Sequence, residues 1–161
     1  FEVLERPNDW QKIFRVAENE KPRHRLRLEY WSAFNDYAFA DPNFASEFPR
    51  RAPSTKSWYD LSIGVSFCHI AVDMVQRSNI LRVGLYIPDG KELFAALTEK
   101  KSDVEASLGF ALEWCELPEK KASRIVAEHA ADFSDRSAWL KQFGWIMETA
   151  LQIKAAFKVC L

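Results

Sequence analysis

Hydrophobic positions along this chain recur with two different periods. Steps of three and four residues, which place apolar side chains on one side of a helix, run through His24–Ala40 and Lys91–Leu108 and again after Asp135. Strict alternation of apolar and polar residues, typical of a strand with one buried face, runs through Leu61–Val65 and Leu81–Ile87. The pattern therefore predicts helices separated by groups of strands.

Turn residues and shorter apolar runs complete the predicted order of elements. Strands are predicted at His69–Val75, Phe110–Leu117 and Ser123–Ala130, with a hairpin turn at Arg77–Asn79 and a helix cap at Gly109. The order is α-βββ-α-ββ-α. Because tight turns join the strands, their pairing is mostly antiparallel. The sequence thus predicts an α+β fold in two layers, a mostly antiparallel sheet of about five strands packed with helices.

Two segments fall outside this alternation. Residues 1–22 are interpreted as a linker or the end of a preceding domain, with a short helix around Trp10–Asn19, and residues 23–161 as a single α+β domain. The chain does not begin with methionine, which suggests a fragment of a longer protein. Asp41–Ser57 is rich in proline and is predicted to be a long loop containing a short helix at Asn43–Glu47.

Composition narrows the class of protein. The 161 residues fit one domain, and a hydrophobic content of 48% is typical of a globular chain rather than a disordered one. The net charge of −1 gives no overall attraction to nucleic acid or anionic lipid, so anion binding would need local clusters. Three cysteines without a Cys-x-x-Cys pair indicate reduced thiols in a cytoplasmic protein. No apolar run reaches the ~20 residues of a membrane span.

No motif for catalysis or metal binding emerges. His24, His69 and His129 are far apart and lack the spacing of zinc ligands. Glu99-Lys100-Lys101 and Glu119-Lys120-Lys121 match the Glu-x-Lys of metal-dependent nucleases. The first lies in a predicted helix and the second in a turn, whereas that chemistry needs adjacent strands. We therefore expect no catalytic residue, no metal and no cofactor in this chain.

One tight turn gathers several cations. The candidate anion-binding patch consists of Lys120, Lys121, Ser123 and Arg124. Arginine can bind a phosphate through two parallel hydrogen bonds. The alternative is a solvated turn whose charges discourage pairing at the edge of a sheet.

Two further candidates depend on how the elements meet. Lys101 lies four residues before Glu105 on the predicted helix, either as a surface ion pair or as a lysine whose ammonium group reaches the edge of a cleft. His69 follows Gly64–Ser66, which could form a turn with free backbone N–H groups. The alternative for His69 is an ordinary core or edge histidine. If the turn and the helix meet, Lys101 and His69 would join the patch around Arg124.

Aromatic residues suggest two other surfaces. Trp145 lies off the apolar stripe of the final helix, so it is a candidate for an exposed interaction residue. A tryptophan at the start of a strand is more often part of the core. One segment nevertheless mixes cations with rings, the composition of a single-strand nucleic-acid surface: Arg50, Arg51, Lys56, Trp58 and Tyr59.

A set of short motifs occurs in one order along the chain. They are Trp58-Tyr59, Ile63-Gly64-x-Ser66-x-x-His69, Arg82-Val83-x-Leu85-Tyr86-Ile87, Phe94-x-x-Leu97-x-x-x-Lys101-x-x-Val104-Glu105-x-x-x-Gly109, Trp114, Leu117-Pro118-Glu119-Lys120-Lys121-Ala122-Ser123-Arg124-Ile125, Trp139 and Trp145. Together they resemble the family catalogued as domain of unknown function 4268, from about Arg25 to the C terminus. The run from Leu117 to Ile125 is the most specific piece.

The resemblance implies a C-terminal module of bacterial or archaeal proteins. In that family the module often follows a domain similar to PD-(D/E)xK nucleases, and Asn8-Asp9-Trp10 looks like the join between the two. The family has no established activity, so the resemblance supplies no catalytic residue.

Three hypotheses follow for the function. The first is a non-catalytic accessory module that makes weak contact with DNA or RNA, or that positions the neighbouring nuclease-like domain. The second is a protein–protein interaction or homodimerisation module with no nucleic-acid role. The third, an enzyme in its own right, has the least support because no cluster of reactive side chains is visible.

Overall fold

The computed structural model describes residues 21–161, which form five α-helices and one five-stranded sheet. The helices are α1 (Pro22–Ala38), α2 (Pro42–Glu47), α3 (Lys91–Thr98), α4 (Lys101–Leu108) and α5 (Trp139–Lys158). The strands are β1 (Trp58–Leu61), β2 (His69–Val75), β3 (Ile80–Ile87), β4 (Glu113–Cys115) and β5 (Ser123–Ala130). The helix predicted around Trp10–Asn19 lies outside the described residues.

The strands are ordered β1-β2-β3-β5-β4, and every neighbouring pair is antiparallel. The predicted α+β fold with an antiparallel sheet is therefore confirmed. The short helix predicted in the proline-rich loop is also present as α2, where the Asp41 side chain accepts a hydrogen bond from the Asn43 N–H. None of the helices in residues 21–161 combines the length and apolar character needed to cross a membrane.

One face of the sheet, called the inner face, carries the apolar side chains. Along β2 the residues alternate between buried and half-buried, as a strand between two different environments requires. The inner-face residues belong to one apolar core together with the buried sides of α1 and α5. At the centre of the helix layer, the Tyr30 ring lies 4.9–5.3 Å from the rings of Trp31, Phe133, Trp139 and Phe143.

The predicted helix over Lys91–Leu108 is in fact two helices. It breaks at Glu99 and Lys100, where the apolar stripe is interrupted by charged residues. Leu97 on α3 and Val104 on α4 are both buried in the core, and the charged residues between them lie at the break.

Two predicted strands are shorter than expected. The first ends at Leu61, because Gly64 adopts a left-handed φ of 90° that a strand cannot accommodate. The strand predicted over Phe110–Leu117 pairs only at Glu113–Cys115. The residues after Gly109 cross from the helix layer to the sheet, a path of about 10 Å for three extended residues, and so reach β5 late.

Candidate functional site

The strand register arranges the other face of the sheet, called the outer face, into three rows of side chains. The Trp58 row contains Trp58, Asp73, Arg82 and Glu128. The small-residue row contains Asp60, Ala71, Gly84, Val126 and Glu113. The Arg124 row contains His69, Tyr86, Arg124 and Cys115. None of these residues belongs to the apolar core, so this face carries the candidate chemistry.

Arg124 is a cation without a partner carboxylate. Its Nε is buried and has no hydrogen-bond acceptor, and no carboxylate of residues 21–161 forms a salt bridge with it. A buried donor of a charged group without an acceptor is costly, so an anion that approached Arg124 would gain from pairing with it. Tyr86 stands next to Arg124 in the row, and the Tyr86 and His69 rings lie 5.4 Å apart.

His69 is held by a neighbouring carboxylate. Its Nε2 lies 3.2 Å from Asp60 Oδ1 on β1. The predicted turn before His69 is present, with Gly64 in the left-handed region, and Phe67 within it is 46% exposed. The Arg124 row therefore carries rings on β2 and β3 and a cation on β5, and it ends at Cys115 on β4.

The opposite corner of the outer face contains an exposed tryptophan beside cations. Trp58 is 45% exposed, and the Lys56 ammonium group lies 5.3 Å from the centre of its ring. Arg51 and Asp60 complete a shallow cleft of about 180 Å³ around them. The structure brings together Arg51, Lys56 and Trp58 of the predicted mixture, and the tryptophan faces outwards rather than into the core. Arg50 instead pairs with Asp36, and the Tyr59 ring is buried in the core.

Buried hydrogen bonds fix the loop that carries this corner. The Tyr59 hydroxyl donates to Asn35 Oδ1 at 2.6 Å and accepts from the Arg51 N–H at 2.9 Å. Asn35 Nδ2 in turn donates to the Arg51 carbonyl at 2.7 Å. The Trp31 Nε1–H donates to the Lys56 carbonyl at 2.8 Å. The backbone is thus anchored to α1 on both sides of the cleft, and the Arg51 and Lys56 side chains are exposed.

Asp73 lies between the two corners in a partly buried position. Burial raises the pKa of its carboxyl group, and the positive charges of Arg124 and Arg82 oppose that rise. Arg82 itself is engaged, because its Nε donates to Glu128 Oε2 at 2.7 Å. The charges of the Trp58 row are therefore largely paired, in contrast to Arg124.

At its centre, on β2 and β3, the small-residue row carries no bulky side chain. A Cβ atom on Gly84 would lie 2.3 Å from the Ile125 carbonyl oxygen and 2.6 Å from the Val126 Cα, so only glycine fits where β5 passes. Ala71 is the register partner of Gly84 on β2.

The predicted anion-binding patch is only partly assembled. Lys120 and Lys121 are exposed in the turn that leads into Arg124. Ser123, however, is fully buried: its hydroxyl donates to the Glu116 carbonyl at 2.8 Å and faces the side of β5 opposite to Arg124. Neighbouring strand residues point to opposite faces, so Ser123 cannot contact the same ligand as Arg124.

Lys91 is a residue that the sequence reasoning missed. Its ammonium group contacts the Glu116 carbonyl and donates to the Leu117 carbonyl at 2.9 Å, the Ala122 carbonyl at 2.7 Å and the Ser123 hydroxyl at 3.0 Å. This cage fastens the β4–β5 hairpin to α3 and holds the basic turn in place. Nothing in the local pattern around Lys91 distinguishes it from a solvated lysine at the start of a helix.

Lys101 is not brought to the Arg124 row. It is exposed in the first turn of α4, on the helix layer, whereas His69 lies on the outer face. Its predicted partner Glu105 accepts from the Leu112 N–H at 2.7 Å and from Trp114 Nε1 at 3.0 Å. These bonds, more than the charge of Lys101, lower the pKa of Glu105. The predicted meeting of turn and helix is therefore absent.

Trp145 is half-buried rather than fully exposed. Its ring stacks on His129 at 4.9 Å between centres, with 18° between the planes. The same ring lines a cavity of about 350 Å³ between α5 and β5. Within residues 21–161, no three His, Cys, Asp or Glu side chains converge in an arrangement that could hold a metal ion.

Comparison with known protein families identifies the chain. The family described as Domain of unknown function (DUF4268) matches residues 26–161. The chain belongs to this family. The match confirms the resemblance inferred from the motifs between Trp58 and Trp145. Searches of curated proteins and of solved structures found no significant match.

Proposed function

We propose that this domain is an accessory module that binds single-stranded nucleic acid weakly across the outer face of its sheet. Arg124, Lys120 and Lys121 contact phosphates at one corner. Tyr86 beside Arg124, and Trp58 at the far corner, offer rings for base stacking. Cationic grooves combined with aromatic platforms are the general means by which proteins bind single strands without sequence preference.

The observation that carries this proposal is the position of Trp58. An exposed ring beside Lys56 and Arg51 lies on the same sheet face as the unpaired Arg124. The two corners are three strands apart and four residues apart along the strands, which places them about 20 Å from each other. Ala71 and Gly84, which carry little or no side chain, lie between them at the centre of the face.

Local charge rather than net charge must supply the attraction. The chain has a net charge of −1, and Asp60, Asp73 and Glu128 also lie on the outer face. His69 and Arg82 engage two of these carboxylates. The cations available to phosphates are therefore few, which favours weak binding with a shallow dependence on salt. Such binding suits a module that helps a neighbouring nuclease-like domain to hold its substrate, the context that the family resemblance suggested.

A direct test measures binding of a fluorescein-labelled 12-nucleotide oligo-dT and the matching oligo-rU by anisotropy. Trp58→Ala should weaken binding by about 1–3 kcal/mol, the usual contribution of one base–aromatic stack. Tyr37→Ala is the matched control, because Tyr37 is 44% exposed but lies on α1 in the helix layer. Equal losses from both variants, or none from either, would exclude the outer face as the binding surface.

The remaining hypotheses give different outcomes in the same experiments. An interaction or dimerisation module would bind neither oligonucleotide at low salt. A concentration-dependent change in sedimentation would then support self-association. Cleavage of either oligonucleotide by this chain in the presence of Mg²⁺, lost in Asp73→Asn, would indicate an enzyme instead of an accessory module.

A further inference from the structure

A second surface lies at the edge of the sheet, away from the outer face. Strand β4 covers only Arg124–Val126 of β5, and within residues 21–161 no strand pairs with β5 beyond Val126 on that side. Edges of this kind are normally covered or blunted in natural proteins, since they can pair with another chain. The cavity lined by Trp145 lies at this uncovered edge, with Ala127 and Glu128 forming part of its wall.

The backbone of the uncovered edge is correctly oriented for pairing. Ala131, the register partner of Asn79, donates its N–H to the Asn79 carbonyl at 2.8 Å. Because orientation alternates along an antiparallel strand, odd-numbered residues of β5 face β3 and even-numbered residues face the other side. Arg124 and Val126 are used by β4. The N–H and C=O groups of Glu128 and Ala130 therefore point out of the sheet.

The chemistry of the adjoining cavity selects a basic side chain. Its lining includes Glu148 and Gln152 from α5 and the ring of Trp145, and it includes no lysine or arginine. Glu148 is exposed and forms no salt bridge with any residue of the described part of the chain. A carboxylate next to an aromatic ring suits a guanidinium group, which can pair with the first and stack on the second.

We propose that this edge binds an extended segment of another protein by strand addition, with an arginine of that segment inserted into the cavity beside Glu148 and Trp145. The added strand takes the place that β4 would occupy if it extended to Phe110. Strand addition supplies affinity through main-chain hydrogen bonds, and the side-chain pocket supplies specificity. This surface is separate from the outer face, so the inference stands or falls independently of nucleic-acid binding.

The test uses the 161-residue chain and a capped, fluorescein-labelled peptide of alternating threonine and valine with a central arginine. A matched peptide carries glutamate in place of the arginine. The arginine peptide should bind roughly tenfold more tightly. Glu148→Gln should weaken its binding by about fivefold, whereas Glu99→Gln, an exposed carboxylate on the helix layer, should have no effect.

Backbone methylation distinguishes strand addition from simple cation binding. N-methyl groups on the peptide residues that face β5 should abolish binding, and N-methyl groups on the alternate residues should leave it unchanged. Amide NMR shifts on binding should centre on Glu128 and Ala130. These variants alter only the peptide, so a failure of the protein to fold cannot confuse the result.

Several outcomes would overturn the proposal. Equal binding of the arginine and glutamate peptides would show that Glu148 does not pair with the peptide arginine. Strand addition would be excluded if both methylation patterns had equal effects. It would also be excluded if N-acetylarginine amide bound as tightly as the peptide. A dimer in sedimentation velocity that Ala130→Pro converts to a monomer would show that a second copy of this chain occupies the edge instead.

Discussion

The inner and outer faces of the sheet are built from the same strands and differ in what their alternate residues do. On β3, Leu81, Val83 and Leu85 are fully buried in the core, whereas Arg82, Gly84 and Tyr86 face outwards. The inner residues require only apolar character and volume, which many combinations satisfy. The outer residues have individual roles: an ion pair, a clearance for the neighbouring strand and an aromatic ring beside an unpaired cation.

This comparison shows where function can reside in the domain. Apolar packing accounts for the inner-face residues of β3, which are fully buried in the core. Packing does not account for an exposed Trp58 or for an Arg124 whose Nε lacks an acceptor. Residues that cost stability without a compensating contact are candidates for binding, and on this sheet they share one face.

The largest expected effect concerns the clearance in the small-residue row. Gly84→Val would place a Cβ atom 2.3 Å from the Ile125 carbonyl oxygen and should lower the free energy of unfolding by about 3 kcal/mol. Gly144→Ala is the control, because no atom lies within 4 Å of its added Cβ and the site is helical. That change should raise stability slightly. Urea unfolding of both variants measures the difference; a tolerated Gly84→Val would refute the close approach of β5.

The cage around the Lys91 ammonium group should give the next largest effect. Lys91→Met leaves the carbonyls of Leu117 and Ala122 without their donor and should cost about 2 kcal/mol in urea unfolding. Lys120→Met, an exposed lysine in the hairpin, should change stability little. Faster amide exchange in the β4–β5 hairpin of Lys91→Met would confirm that the cage fastens it. Equal stability of the two variants would indicate that Lys91 is solvated.

The basic turn predicts a smaller effect, visible in salt dependence. Lys121→Ala should reduce the slope of log affinity against log salt for single-stranded oligonucleotides by about 0.7. Lys141→Ala, an exposed lysine on α5, should leave the slope unchanged. A titration from low to moderate salt for each variant makes the comparison. If Lys121→Ala leaves the slope unchanged, the phosphate contacts do not include this residue of the hairpin.

The smallest effect should be the pH dependence contributed by Asp73. Burial raises the pKa of this carboxyl group in the folded state, so the native protein binds its proton more tightly than the unfolded chain does. Ionisation therefore reduces stability as the pH rises from below the unfolded-state pKa through the folded-state pKa. Asp73→Asn should be more stable than the natural chain at pH 7, and the advantage should shrink towards pH 3. An advantage that is equal at both pH values would rule out titration of Asp73 as its cause.

Much of the fold could be predicted from local pattern. The alternation of Leu81, Val83, Leu85 and Ile87 predicted β3 and its buried face, and the short helix predicted at Asn43–Glu47 is present as α2. The predicted bounds of a helix or strand were wrong where they depended on contacts with other elements of the fold. The helix after Gly90 breaks at Glu99 and Lys100, and the strand after Gly109 begins late because its chain must first cross between layers.

The candidate site could be predicted in composition but not in arrangement. Arg124, His69, Trp58 and the lysines of the turn were identifiable from residue type and spacing. The prediction that Ser123 belongs to the anion-binding patch was wrong. Pairing of β5 with β3 places Ser123 on the face of the sheet opposite to Arg124, where it contacts Lys91. Trp145 was assigned to an exposed surface, whereas contact with His129 places it on the wall of a cavity.

The sequence by itself determined which residues of the strands alternate and which family the chain belongs to, because these depend on patterns within short stretches of the chain. Tertiary structure alone decided that Trp58 and Arg124 share one face, that Lys91 is caged by the hairpin and that β5 keeps an uncovered edge. Each of these follows from the register between strands distant in the chain, since a shift by one residue would turn every side chain to the opposite face.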